Sequence, residues 1–145
     1  MSAGAGFLLA VLWFDLMFDV QVRAHRHDEL PEEVLASIAG YYARVTTAAR
    51  PMNRLIATVM LATLAAILVQ AASGEEPAWV PWSSLALAGA AVGLAAARIV
   101  PSAVRLGTRT QTPAGQSAAA RSIYRAHVLC ALAIAGVLGV QLGFA

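Results

Sequence analysis

The sequence predicts an all-α fold: a polytopic bundle of four transmembrane helices, with an additional cytoplasmic amphipathic helix between the first and the second. Apolar residues make up 59% of the 145 residues and charged residues 12%, whereas soluble domains carry roughly 25% charged residues. Four apolar runs approach or exceed the roughly 20 residues that a transmembrane helix needs. The ten basic residues are all arginines, and they flank two of the three connections between these runs. We therefore expect residues 1–145 to form one membrane domain.

The first predicted span, residues 5–22, is the one that carries acidic residues. As a helix it covers about 27 Å, close to the thickness of a hydrocarbon core. Asp15, Asp19 and Arg23 follow one another at four-residue spacing, so they share one stripe of the helix. A carboxylate at bilayer depth costs about 2.5–3.5 kcal/mol on insertion scales. The two acids therefore need a partner, a water-filled cavity or a proton.

An amphipathic helix of about residues 31–47 is predicted within the polar first connection. Pro31 suits a first helical turn, and Glu32 and Glu33 follow where the helix dipole favours acids. Apolar side chains then recur at helical spacing, which predicts a helix that lies on the membrane surface or caps the bundle. This stripe consists of Val34, Ile38, Tyr41, Tyr42 and Val45. We interpret its two tyrosines as interface residues.

The other three predicted spans cover about residues 52–72, 79–100 and 123–143. Pro101 is expected to end the third helix, because proline interrupts the helical hydrogen-bond ladder. Residues 102–122 are rich in Thr, Gln and Gly at their centre and are expected to form a flexible loop.

The last two spans contain pairs of glycines at four-residue spacing. This spacing is typical of small-xxx-small contacts, in which two helix backbones approach closely. A close neighbour is therefore expected, either in the same chain or in a partner such as a second copy of the protein. The pairs are Gly89 with Gly93 and Gly139 with Gly143.

The arginines also predict the orientation in the membrane. The second connection and both termini carry none of them, so the positive-inside rule places both long connections in the cytoplasm and both termini outside. We expect a bacterial inner membrane protein, and because the arginines mark topology, we do not expect nucleic acid as a partner. Five flank the first connection (Arg23, Arg26, Arg44, Arg50 and Arg54) and five the third (Arg98, Arg105, Arg109, Arg121 and Arg125).

In this topology polar residues from all four spans meet at the cytoplasmic end, where a cavity would close around Asp15. Asp15, Asp19 and His127 are the candidate acid–base groups. Alternatively, Asp15 or Asp19 pairs with Arg98 or Arg54 and only holds the helices in register. The candidate substrate-binding residues are Asn53, Arg54, Arg98, Tyr124 and Arg125.

Motifs for other chemistry are absent from the sequence. It contains no CxxC, HExxH, phosphate-binding glycine loop or G-x-S-x-G motif. No metal site is predicted and no cofactor is identified. Whether His25 and His27 bind a metal stays open, because their two-residue spacing suits neither one helix face nor a common metal pattern.

The last third of the chain carries a family resemblance. The segments IVPSAVRL (99–106) and RSIYRAHVLCAL (121–132) resemble small four-helix membrane proteins grouped with anthrone oxygenases, which are similar in length and helix count. The resemblance implies that Pro101, Arg105, Tyr124 and His127 fill the positions of that family's motif. It also implies a proton-transfer role for His127 on a phenolic or polyketide-like substrate.

Three functions are consistent with these features. The first is a cytoplasm-facing intramembrane site, built on Asp15 and Asp19, that handles protons or a small lipophilic molecule. The second is a membrane oxidoreductase or oxygenase-like enzyme on a lipophilic substrate, with His127 and the acids as general acid–base groups. The third is a non-catalytic assembly or accessory subunit whose glycine faces bind a partner.

Overall fold

The protein is a bundle of helices in the computed structural model, which describes residues 1–25, 29–74 and 77–144. These residues contain no β-strand. Short 3₁₀ or π turns extend three of the helices: Val20–Ala24, Arg44–Ala48 and Ala95–Ile99. The helices are α1 (Ser2–Asp19), α2 (Glu32–Ala43), α3 (Arg50–Ala72), α4 (Trp79–Leu94), α5 (Val100–Thr108) and α6 (Pro113–Phe144).

Four helical stretches are long and apolar enough to cross a membrane, as the sequence predicts. Each contains a window of mean hydropathy between 1.7 and 2.2. Between 17% and 28% of each window is buried inside the bundle, which is the arrangement expected when lipid rather than water covers the apolar side chains. The stretches are Ser2–Ala24, Arg50–Ala72, Trp79–Thr108 and Pro113–Phe144.

Helix α6 forms the centre of the bundle, because it packs against both α1 and α4. Its buried residues recur every three or four positions, so one continuous stripe faces its neighbours. Helix α3 lies against α1 and α4 and buries only three residues. The α6 stripe includes Ile123, His127, Cys130, Ile134, Val137 and Gln141.

The end of α1 lies against the first half of α6, toward one end of the bundle. His127 of α6 contacts Asp19 of α1, and Arg121 donates to the backbone carbonyl of His25 at 2.7 Å. We call this the arginine end. At the opposite end Gln141 Nε2 donates to Gln70 Oε1 and to Ser84 Oγ, each at 3.0 Å, and so joins α6 to α3 and α4.

The third connection is much shorter than predicted. Pro101 does not end the helix, because a π turn leads from α4 directly into α5, and Trp79–Thr108 is helical throughout. Helix α6 begins at Pro113 rather than near residue 123. The Thr112 hydroxyl accepts the Gly115 backbone N–H at 3.2 Å, an N-cap followed by proline at the first helical position.

The predicted glycine pairs do not form close contacts within the described chain. A Cβ atom added at Gly89, Gly93, Gly139 or Gly143 would meet no atom within 4 Å, and all four glycines are exposed. The close approaches are elsewhere: a Cβ at Gly107 would lie 2.9 Å from the backbone nitrogen of Ala43, and one at Gly4 would overlap the Thr63 hydroxyl. Of the two alternatives for the predicted pairs, the partner in the same chain is wrong.

Helix α2 packs chiefly against α5 and also contacts α1 and α6. It is shorter than the predicted 31–47, because a π turn replaces its last part. Leu35, Ile38, Ala39 and Tyr42 are buried, so the buried face includes only part of the predicted stripe. Whether α2 is an amphipathic helix on the cytoplasmic side of the membrane stays a prediction.

Candidate functional site

A cluster of five polar side chains lies at the arginine end, where α1, α2 and α6 meet. Helix α1 provides Asp15 and Asp19, α2 provides Tyr41 and Tyr42, and α6 provides His127. We call these residues the acid–histidine cluster. The four-residue spacing on α1 directs both carboxylates toward α6, as the sequence predicts.

Asp19 is the most deeply placed member of the acid–histidine cluster. Its side chain has no solvent exposure, and its Oδ2 atom lies 2.6 Å from His127 Nδ1. Its other oxygen, Oδ1, accepts a hydrogen bond from the Tyr42 hydroxyl at 2.7 Å. Both carboxylate oxygens are therefore satisfied, as a buried acid requires.

Asp15 lies one helical turn away and reaches the other nitrogen of the same imidazole. Its Oδ1 accepts a hydrogen bond from the Tyr41 hydroxyl at 2.5 Å, and its Oδ2 lies 3.8 Å from His127 Nε2. His127 thus lies between two carboxylates, one at each ring nitrogen. The two ring nitrogens of an imidazole point in opposite directions, so a single side chain of α6 contacts both acids of α1.

The sequence pattern did not reveal that the two tyrosines belong to this cluster. Their position predicted interface residues instead. The Tyr41 ring stacks on Phe18 with 4.1 Å between ring centroids, which fixes its hydroxyl over Asp15. Burial, together with the neighbouring acids, raises the pKa of both phenols above their ordinary value. They remain hydrogen-bond donors at neutral pH. Their position on the predicted apolar stripe of α2 could have indicated this role. A tyrosine buried on such a stripe needs an acceptor for its hydroxyl group.

The predicted pairing of Asp15 or Asp19 with Arg98 or Arg54 is wrong. Both acids pair with His127, which the imidazole achieves because its two nitrogens point in opposite directions. In the described part of the chain the side chains of Asp15 and His127 are largely enclosed, with 16% and 4% exposed, rather than open to the wide cavity predicted around Asp15.

The candidate substrate-binding residues do not join the acid–histidine cluster. Asn53 Nδ2 donates to the backbone carbonyl of Val45 at 2.5 Å, so it secures the turn before α3. Arg54 is exposed and Tyr124 is half-buried. Arg98 and Arg125 lie together, but in a separate groove between α4 and α6.

This second feature is a groove with a volume of about 390 Å³. Three guanidinium groups and five uncharged residues surround it. We call it the basic groove. Its lining residues are Leu94, Arg98, Ala118, Arg121, Ser122, Arg125, Ala126 and Leu129.

The described chain contains no group of three His, Cys, Asp or Glu side chains arranged to hold a metal ion. His27 lies outside the described residues. Whether His25 and His27 bind a metal together therefore stays open.

The comparisons with known proteins give one match. A family model for the SHR3 chaperone, described as ER membrane protein SH3, matches residues 3–145. No curated protein and no solved structure matches. The matched family is an ER membrane family and not the anthrone-oxygenase-like family that the sequence resembles, and nothing in the comparisons supports that resemblance.

Proposed function

Because the chain belongs to the SHR3 chaperone family of ER membrane proteins, we propose that it is a non-catalytic assembly factor that binds client membrane proteins within the bilayer. The four apolar helices and the family together make it a multi-pass membrane protein. The family name supports a chaperone role, which agrees with the accessory function among the three hypotheses. The match over residues 3–145 also supports a single membrane domain.

The family also bears on the predicted location. Its description places its members in the ER membrane, so the predicted bacterial inner membrane has no support from it. The orientation with both termini outside the cytoplasm rests on the arginine distribution alone, and we keep it as part of the proposal.

The observation that carries this proposal is an exposed face of small residues on α4. We call it the small-residue face; it begins at the exposed Trp82 and continues toward the arginine end. Transmembrane helices associate through close backbone packing where side chains are small. The described chain places nothing against this face, so we propose a transmembrane helix of a client protein as its occupant. The face comprises Trp82, Ala86, Gly89, Ala90, Gly93 and Ala97.

We expect Gly93→Leu to weaken client binding without unfolding the protein. Gly93 has open space where a Cβ would stand, so the leucine should keep the bundle intact but prevent a client backbone from approaching. The measurement is photo-crosslinking from a probe at Ala90 to a polytopic membrane protein synthesised into vesicles that contain the purified protein. We expect the crosslinked fraction to fall about fivefold for Gly93→Leu, equivalent to about 1 kcal/mol.

Gly6→Leu is the matched control, because Gly6 also has open space around it but lies on α1. Unchanged crosslinking in Gly93→Leu would contradict the proposed face. Crosslinks exclusively to a second copy of the chain would replace the client with a homo-oligomer.

The acid–histidine cluster supports a second candidate function, the binding and release of a proton within the membrane. In this cluster the His127 imidazole lies 2.6 Å from Asp19 and 3.8 Å from Asp15. Intramembrane acids are more often functional than acids in soluble cores. We keep Asp15, Asp19 and His127 as its candidate residues. The oxidoreductase hypothesis has less support, because a lipophilic substrate could reach the enclosed His127 only if the helices parted.

For this second candidate we expect Asp15→Asn to fold but to lose all proton-linked activity. Asparagine keeps an acceptor for the Tyr41 hydroxyl yet cannot exchange a proton in the physiological range. Proton flux into proteoliposomes, followed with an enclosed pH-sensitive dye, should fall to the level of empty vesicles. Asp15→Glu is the control that restores a titratable group. Full flux in Asp15→Asn would remove Asp15 from the mechanism.

A further inference from the structure

The basic groove lies between two spanning stretches, Trp79–Thr108 and Pro113–Phe144. Arg98 comes from the π turn that follows α4, and Arg121 and Arg125 are one turn apart on α6. All three line the same opening of about 390 Å³. Cations gathered in this way repel one another, so an anion between them would relieve the repulsion and gain charge-assisted hydrogen bonds.

Two of these arginines have no anion of their own within the described chain. Arg98 and Arg125 are exposed and form no ion pair or side-chain hydrogen bond with the described residues. By contrast, Arg109 pairs with Glu32 at 2.7 Å. No carboxylate stands among the residues that line the groove. Within the described residues, the charges of Arg98 and Arg125 are therefore not compensated by an acid.

The lining of the groove changes from basic to apolar along the helix axes. Leu94 lies one turn before Arg98 on α4, and Leu129 lies one turn beyond Arg125 on α6, so both leucines are farther from the arginine end. Leu129 is 57% exposed. The groove therefore offers positive charge at its outer part and an open apolar wall toward the middle of the bundle.

We propose that the basic groove binds an anionic phospholipid, with the phosphate between Arg98 and Arg125 and an acyl chain along Leu94 and Leu129. Guanidinium groups match phosphate oxygens through paired N–H donors. Basic pockets between transmembrane helices are known sites for anionic headgroups. Inorganic phosphate shares the headgroup chemistry, but it would leave the apolar wall uncovered.

The test uses the full chain in nanodiscs of phosphatidylcholine with a minor fraction of phosphatidic acid, and native mass spectrometry of the released protein. We expect the wild-type protein to retain phosphatidic acid in preference to phosphatidylcholine. The double variant Arg98→Gln/Arg125→Gln should lose about 30-fold in apparent affinity, since each arginine near an anionic surface contributes roughly fivefold. Arg98→Lys/Arg125→Lys should recover part of this, because lysine keeps the charge without the paired donors.

Arg50→Gln/Arg54→Gln is the matched control. It removes the same charge from exposed positions near the start of α3, outside the groove, and should leave lipid retention unchanged. Equal losses in the two double variants would reduce the effect to general charge and overturn the site.

A second arm separates the two sources of phosphate. Inorganic phosphate and glycerol phosphate are added as soluble competitors, and we expect neither to displace the bound lipid at concentrations that match its headgroup. Displacement by free phosphate as effective as that by lipid would overturn the lipid assignment. Equal retention of phosphatidylcholine and phosphatidic acid by the wild-type protein would overturn the anion site.

Discussion

Replacing Asp19 by alanine is expected to destabilise the folded protein by about 2–6 kcal/mol, because it leaves two buried groups without a hydrogen-bond partner, at roughly 1–3 kcal/mol each. Asp19 has no solvent exposure and satisfies both His127 and the Tyr42 hydroxyl. Its loss would leave an imidazole nitrogen and a phenol without partners in an enclosed site. The measurement is the free energy of unfolding in mixed micelles, followed by far-ultraviolet circular dichroism.

Two further variants separate the contributions. Tyr42→Phe removes one neutral donor and should cost about 1 kcal/mol. A double-mutant cycle between Asp19→Leu and His127→Leu should give a coupling energy well above the roughly 0.6 kcal/mol average of hydrogen bonds between transmembrane helices. A coupling energy at or below that average would contradict a strong contact between Asp19 and His127.

Gly107→Ala is expected to have the second-largest effect, a loss of about 2 kcal/mol in the free energy of unfolding, since overpacking typically costs about 1–3 kcal/mol. The added Cβ would lie 3.0 Å from the Ala43 Cα and 3.2 Å from the Tyr42 carbonyl carbon. These are backbone atoms of α2, so they can yield only if α2 moves away from α5. Because Tyr42 is on α2, its hydrogen bond to Asp19 should weaken as well.

The control for Gly107→Ala is Gly93→Ala. Alanine is a better helix former than glycine by about 1 kcal/mol, and Gly93 has open space where the methyl group would go. Gly93→Ala should therefore be neutral or stabilising. If Gly107→Ala raised the melting temperature as Gly93→Ala does, the close contact between α2 and α5 would be refuted.

The parts of the fold that hydropathy determines could be predicted from the sequence. The four apolar runs predicted the four stretches that can span a membrane. In lipid every backbone polar group must be hydrogen-bonded within its own helix. The meeting of Asp15, Asp19 and His127 also followed, because acids in an apolar run need polar partners at the same depth. In the structure Asp15 and Asp19 pair with His127 and not with the predicted arginines.

The position of α2 could not be predicted in the same way. The sequence suggested a surface or capping helix, but which of its side chains reach Asp15 and Asp19 depends on how α2 packs on α5, and no local pattern determines that. The two tyrosine hydroxyls were missed for this reason.

Local rules also failed around Pro101. A proline in a helix interior usually ends or kinks it, yet a π turn precedes Pro101 here and the chain remains helical to Thr108. The Thr112–Pro113 pair is a sequence signal for the start of α6, since the threonine caps the helix and the proline follows it. The polar composition of residues 102–122 predicted a loop there instead.

The two buried polar sites lie about four turns apart on α6, one at His127 near the middle of the helix and one at Gln141 near its end, and together they restrict how that helix can move. A shift of α6 along its axis by one turn, about 5.4 Å, would separate His127 from Asp19 and Gln141 from Gln70 at the same time. Axial slippage is therefore opposed at two levels of the helix at once. Sideways bending of the apolar segment between His127 and Gln141 breaks neither set of bonds, so the bundle can adapt in width while its helices keep their register.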